Sequence, residues 1–181
     1  DMSIFAHAVR HHVKRQAKRK NPGRRAVASQ PESRFYPPPE TVMQLVNYLF
    51  FKDQAAEAFD FYARCLGGKI LMKVTLGEMP DGGNASPETR DLIAHVRLAV
   101  GDAVLMGSDW CTPTGEAYPG IHGNAVSLSV DRPEQAEQLF AALSEGAKVT
   151  MPIAETSWAL RFGMLTDRYG AMWMVNCNKS E

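Results

Sequence analysis

The texture of the chain changes at residue 43. From there, MQLVNYLFF is dense in β-formers and reads as a strand. Ala55, Phe59, Tyr62 and Leu66 then recur at helical spacing, Asp53 offers an N-cap, and Gly67-Gly68 closes the helix. KILMKVTLGEM reads as a strand, and PDGGNASPETR as a polar loop. LIAHVRLAV and AVLMGSD follow as two strands around a Gly101-Asp102 turn. The order is β-α-β-β-β. After a linker containing Pro113, Gly115, Pro119 and Gly120, the pattern returns. NAVSLSV is a strand. A helix with Ala136, Leu139, Phe140 and Leu143 on one face takes a capping box from Asp131 and Glu134 and ends at Gly146. KVTMPIAE is a strand. Leu160 to Thr166 and Ala171 to Cys177 form a closing hairpin around the turn Asp167–Gly170.

One offset relates the two halves. Adding 78 carries Asp53 to Asp131, Tyr62 to Phe140 and Gly68 to Gly146. Matched helices ended by glycine indicate a duplicated unit. The expected fold class is α+β: tandem β-α-β-β-β modules forming a curved mixed sheet around a cup, with helices on the convex side. The domain spans 43–181, with module 1 at about 43–110, a linker at 111–121 and module 2 at about 122–178. A ligand belongs in the cup.

Residues 1–42 read differently. They carry nine Lys or Arg against three Asp or Glu, whereas 43–181 carries eleven against seventeen. Few apolar residues, Pro22-Gly23 and Pro37-Pro38-Pro39 predict a basic, disordered extension. An organellar presequence, a weak nucleic-acid arm and upstream read-through before Met43 are the other readings of it. The acidic remainder argues against nucleic acid as a partner elsewhere. No apolar run is long enough to span a bilayer. Cys65, Cys111 and Cys177 form no CxxC pair and leave one odd, which predicts a reducing, cytoplasmic setting.

YLFF, FYARCLGGKILMKVTLGEMP, IAHVRLAVGDAVLMGSD and ETSWALRFGMLTDRYGAMWMVN cover most of residues 43–178. Together they resemble the vicinal oxygen chelate superfamily of glyoxalase I, extradiol dioxygenases, and fosfomycin- and bleomycin-resistance proteins, and within it the PhnB-like branch. Such sequences often bear glyoxalase or demethylubiquinone methyltransferase labels. For the latter, no Gly-rich loop leads from a strand into a helix. The resemblance implies a homodimer. It also implies, for the metal-using members, a divalent ion held by His and Glu from the first and last strand of each module. Those positions fall here on Asn47, Met106, Ala125 and Met174. An amide, two thioethers and a methyl group do not suit Zn, Ni, Mn or Fe(II). No metal and no other cofactor is therefore expected, with a divalent metal on other ligands as the alternative.

Strand alternation supplies the expected cup lining. With Asn47 facing inward, Leu45, Leu49 and Phe51 follow it, and with Ala125 inward, Ser127 and Ser129 do. A two-residue turn pairs Met106 with Arg97 and Ser108 with His95. A four-residue turn pairs Met174 with Gly163 and Asn176 with Arg161. The candidate ligand-binding residues are Asn47, Arg97, Met106, Ser108, Ser127, Trp158, Arg161, Met174 and Asn176. His95 is the candidate catalytic residue, because a neutral imidazole serves as a base near neutral pH. Arg97 and Arg161 suit a carboxylate or phosphate. Trp158 is a candidate aromatic wall. Trp173 points to the core, Trp110 to the mouth of the cup and His122 to solvent. The expected function is binding of a small polar, anionic or polar-aromatic molecule. The alternatives are a metal-dependent lyase or oxidoreductase of glyoxalase or dioxygenase type, and a metal-free enzyme with His95 as base.

Overall fold

The computed structural model describes residues 44–80, 85–112 and 114–179. The expectations for residues 1–42 lie outside the described residues. Two β-α-β-β-β modules follow one another. The first has β1 (Asn47–Phe51), α1 (Ala55–Leu66), β2 (Lys69–Thr75), β3 (Ile93–Val100) and β4 (Ala103–Asp109). The second has β5 (Val126–Ser129), α2 (Pro133–Leu143), β6 (Lys148–Ala154), β7 (Ala159–Thr166) and β8 (Met172–Asn178). Each module builds its own four-stranded sheet, in the orders β1-β4-β3-β2 and β5-β8-β7-β6. In both, the first strand lies parallel to the last and the remaining pairs are antiparallel. The α+β class and the tandem arrangement are as the sequence predicts.

The helices form where the apolar spacing places them, but their caps differ. Asp53 does not cap α1; its N-cap is Gln54, without a side-chain bond. Asp109 takes that role from the end of β4. Its carboxylate accepts the Ala55 N–H at 2.8 Å and the Ile93 N–H at 2.7 Å, tying the helix start to two strands. The capping box at Asp131 does not form either. Arg132 is the N-cap and Pro133 the first helical residue. Proline at that position presets φ and has no N–H to satisfy. Gly67 ends α1 at φ 63°, a left-handed conformation that side chains resist.

One core serves both modules, and it gathers the helix-facing sides of the two sheets around α1 and α2. Tyr62 of α1 sits at its centre. Its ring meets Trp173 of β8 at 5.0 Å and Tyr169 at 6.2 Å between centroids. Its hydroxyl donates to Asp167 Oδ2 at 2.6 Å. The same oxygen accepts Trp173 Nε1–H at 2.7 Å, and Oδ1 accepts the N–H groups of Tyr169 and Ala171. The buried carboxylate is thus matched by four donors, which is what makes its burial tolerable.

Candidate functional site

The core occupies the helix side of each sheet, so the opposite, cup-side faces hold the remaining candidate residues. Their membership depends on register, and two strands differ from expectation by one residue. In β1, Leu49 and Phe51 are buried in the core, and Phe51 meets Phe59 and Tyr62 of α1. Asn47 lies opposite Leu105, on that same side, while Tyr48 and Phe50 lie opposite Met106 and Ser108. The cup-side position of β1 is therefore Tyr48, not Asn47. MQLVNYLFF is apolar on both faces, so alternation does not fix its phase. The offset was the remaining guide, and it is 78 for the helices but 79 for the first strands. Tyr48 opposite Met106 matches Ser127 opposite Met174.

In β7 the turn makes the difference. Thr166 pairs with Met172, so the loop holds five residues, Asp167 to Ala171, and is closed by an Asp167 N–H bond to the Ala171 carbonyl at 2.8 Å. One extra residue moves Met174 opposite Met164 and Asn176 opposite Phe162. Gly163 then faces α2, where a Cβ would come within 2.6 Å of the Phe140 ring. Arg161 also turns to the helix side. It pairs with Cys177 and forms an ion pair with Glu137 of α2. The counterpart of His95 is Phe162 rather than Arg161.

The other placements agree with the sequence reading. Gly101-Asp102 is a two-residue turn, so Arg97 lies opposite Met106. Ser127 and Ser129 lie opposite Met174 and Asn176. Trp158 is exposed and meets Phe162 edge-on at 5.7 Å. Trp173 is buried. His122 is exposed, with its Nε2 against the Pro119 carbonyl.

The first module gathers the denser chemistry. Tyr48 and His95 stack at 5.7 Å, and the Tyr48 hydroxyl lies 3.2 Å from His95 Nδ1. Phe50 packs on Tyr48 at 5.0 Å and on Trp110 at 5.6 Å. Tyr118 from the linker bonds the Phe50 carbonyl at 2.7 Å, so Trp110 and Tyr118 flank the edge of β1. A cavity of about 190 Å³ opens beside that edge, between Tyr48, Phe50, Ile121 at the end of the linker and Asn124 just before β5. Burial, and then the nearby Arg97 guanidinium, hold His95 below the ordinary imidazole range, so it is neutral at pH 7. Burial pushes the Tyr48 phenol up.

Three buried polar side-chain atoms have no hydrogen-bond partner among the described residues: Arg97 Nε, Ser108 Oγ and Asn176 Oδ1. All belong to cup-side rows and none to the shared core. Buried polar atoms are ordinarily matched, so these three are the open hydrogen-bonding positions of the described cup-side rows.

The metal positions can now be set by strand pairing. They become Tyr48, Met106, Ser127 and Met174. A phenol, two thioethers and an alcohol fit a hard or borderline divalent ion no better than the set inferred from sequence. Among the described residues, no three of His, Cys, Asp and Glu come together. This donor set does not fit the metal of the metal-using families.

Comparison with known proteins follows the same lines. The chain is 32% identical over 147 residues to protein YjdN of Escherichia coli K12, covering 77% of this chain and 98% of that one. The crystal structure of protein PA1353 from Pseudomonas aeruginosa is 42% identical, with a TM-score of 0.69 over 77% of this chain and all of that one. The PhnB protein from Bacillus cereus shares the fold at 18% identity and a TM-score of 0.60, over 75% of this chain and 99% of its own. No described helix is long and apolar enough to cross a membrane. Residues 44–175 match the Glyoxalase/Bleomycin resistance protein/Dioxygenase superfamily. With two β-α-β-β-β modules in the matching order and PhnB among its structural neighbours, the chain belongs to that superfamily.

Proposed function

We propose that the protein binds a small polar or anionic molecule on the cup-side face of its first module, without the divalent metal of the metal-using families. The observation that carries this reading is the pair of unpartnered atoms, Arg97 Nε and Ser108 Oγ, beside the Tyr48–His95 pair. A guanidinium suits a carboxylate or phosphate, and a buried hydroxyl gains a partner that it otherwise lacks. The aromatic strip Tyr48–Phe50–Trp110 gives such a molecule an apolar wall. Ser127, Met174 and Asn176 line the corresponding face of the second module. A reducing, cytoplasmic setting is supported by its free cysteines, and a homodimer by its superfamily membership alone.

A second reading has one observation in its favour. A neutral His95, held by Tyr48 through Nδ1, is suited to act as a general base on a bound substrate. His95→Ala would then abolish turnover and leave binding intact. The first reading is tested by native mass spectrometry of the full chain before and after exhaustive chelation. A metal-free dimer that retains a small organic or phosphate-bearing adduct, released in Arg97→Ala, is the expected result. Stoichiometric Zn, Ni, Mn or Fe in the untreated protein would overturn it.

A further inference from the structure

Among the described residues, no methionine belongs to the buried core, which uses Leu, Val, Ile, Ala, Cys, Phe, Tyr and Trp instead. Strand pairing sets most of the described methionines on the cup-side faces. Met174, Met164 and Met151 lie opposite one another on three adjacent strands, β8, β7 and β6. Met172 precedes Met174 by two residues, on the same side of β8. The neighbouring row runs from Ser129 through Asn176 to Phe162. Trp158 stands edge-on to Phe162 at that row's margin and is 56% exposed. The face therefore has a thioether floor, an aromatic flank and one amide.

One hydrogen bond orients the amide. Asn176 Nδ2 donates to Asn178 Oδ1 at 2.7 Å, so Oδ1 is left as a buried acceptor without a partner. It asks for an N–H or O–H. Thioethers contact ring faces and edges favourably, and their flexible chains adapt to different flat outlines. We infer that the cup-side face of the second module binds a flat aromatic ring system that carries a ring N–H or O–H donor. The ring lies over Met151, Met164 and Met174, and its donor reaches Asn176 Oδ1. The inference rests on residues other than Tyr48, His95 and Arg97, so it stands if the reading of the first module fails.

The test uses the full chain with methionine methyl groups labelled with carbon-13, titrated with indole and with benzofuran. The two probes share an outline and differ in the N–H. Ring-current shifts confined to the methyls of Met151, Met164, Met172 and Met174 are expected, with indole bound about five- to tenfold more tightly than benzofuran. Asn176→Ala is expected to bring that ratio close to one. If the variant does not fold, the ratio in the unaltered protein decides alone. Equal affinity for the two probes, or unmoved methyls at millimolar probe, overturns the inference. Methyls that respond to anaerobic Cu(I) but to neither ring also overturn it, because the row would then be a soft-metal site.

Discussion

Replacing Tyr62 by Phe removes one hydroxyl and no other atom. That hydroxyl lies 2.6 Å from Asp167 Oδ2, and both residues are buried. Burial, and next the Asp167 carboxylate itself, hold the phenol far above its ordinary pKa, so it remains a donor at any working pH. A hydrogen bond to a charged group contributes roughly 1.5–3 kcal/mol net. In Tyr62→Phe the carboxylate keeps Trp173 Nε1–H and two backbone N–H donors, so it is not stranded. The lower part of the range applies, about 1.5–2 kcal/mol. For a folded unit of this size, that lowers Tm by about 5–10 °C. Asp167→Ala strands the hydroxyl, the indole N–H and both amides together, and its cost rises to roughly 3–5 kcal/mol. Thermal unfolding followed by near-ultraviolet circular dichroism measures both, and the double variant completes the cycle. Tyr62→Phe should cost little once Asp167 is gone. A Tm within about 2 °C of the parent for Tyr62→Phe, or strictly additive losses, would refute the assignment of Asp167 as the tie between modules.

Other consequences can be measured directly. His95 has its pKa lowered in the folded state, so its contribution is fully present above the unfolded imidazole value, about 6.5, and is lost as pH falls below it. Tm should therefore decline between pH 7.5 and 5, and less steeply in His95→Gln; identical slopes would count against a half-buried, neutral His95. Gly163→Ala drives a methyl against the Phe140 ring and the Ile153 backbone, and urea unfolding should show a loss of about 1–3 kcal/mol. Arg161→Ala removes an exposed ion pair with Glu137 on the helix side. Small-molecule binding should be unchanged and stability nearly so, whereas lost binding would return Arg161 to the cup.

The fold was legible because its signals are periodic and repeated. Ala58 and Ala136, one offset apart, are both fully buried, and Gly67 terminates α1 at a positive φ, as its sequence position suggests. The face of each strand was legible only where polarity alternates. Ser127 and Ser129 against Val126 and Leu128 gave β5 the right phase. Tyr48 and Leu49 could not do so for β1, because both are apolar enough for either face. Phe162 and Met164 were hidden by one residue of turn length. The signal was Asp167 itself, an aspartate whose side chain holds the N–H groups two and four residues on and widens the loop to five. The substitution of Asp109 for Asp53 as the α1 cap was not legible locally, since the partners are 54 residues apart.

The bond from Tyr62 to Asp167 also bears on how such a chain could have arisen. Its halves are repeats, and they share one buried core. A chain of residues 43–110 alone would leave Phe61 and Tyr62, both fully buried here, without Tyr169 and Trp173 to cover them. Such a fragment is expected to self-associate, which sedimentation velocity would report; a stable folded monomer would contradict this. A single-module ancestor would have met the same need by pairing with its own copy. Duplication within one gene would turn such a concentration-dependent partnership into a covalent one and free the two halves to diverge. One now carries Tyr48, His95 and Arg97 where the other carries Ser127, Phe162 and Met164.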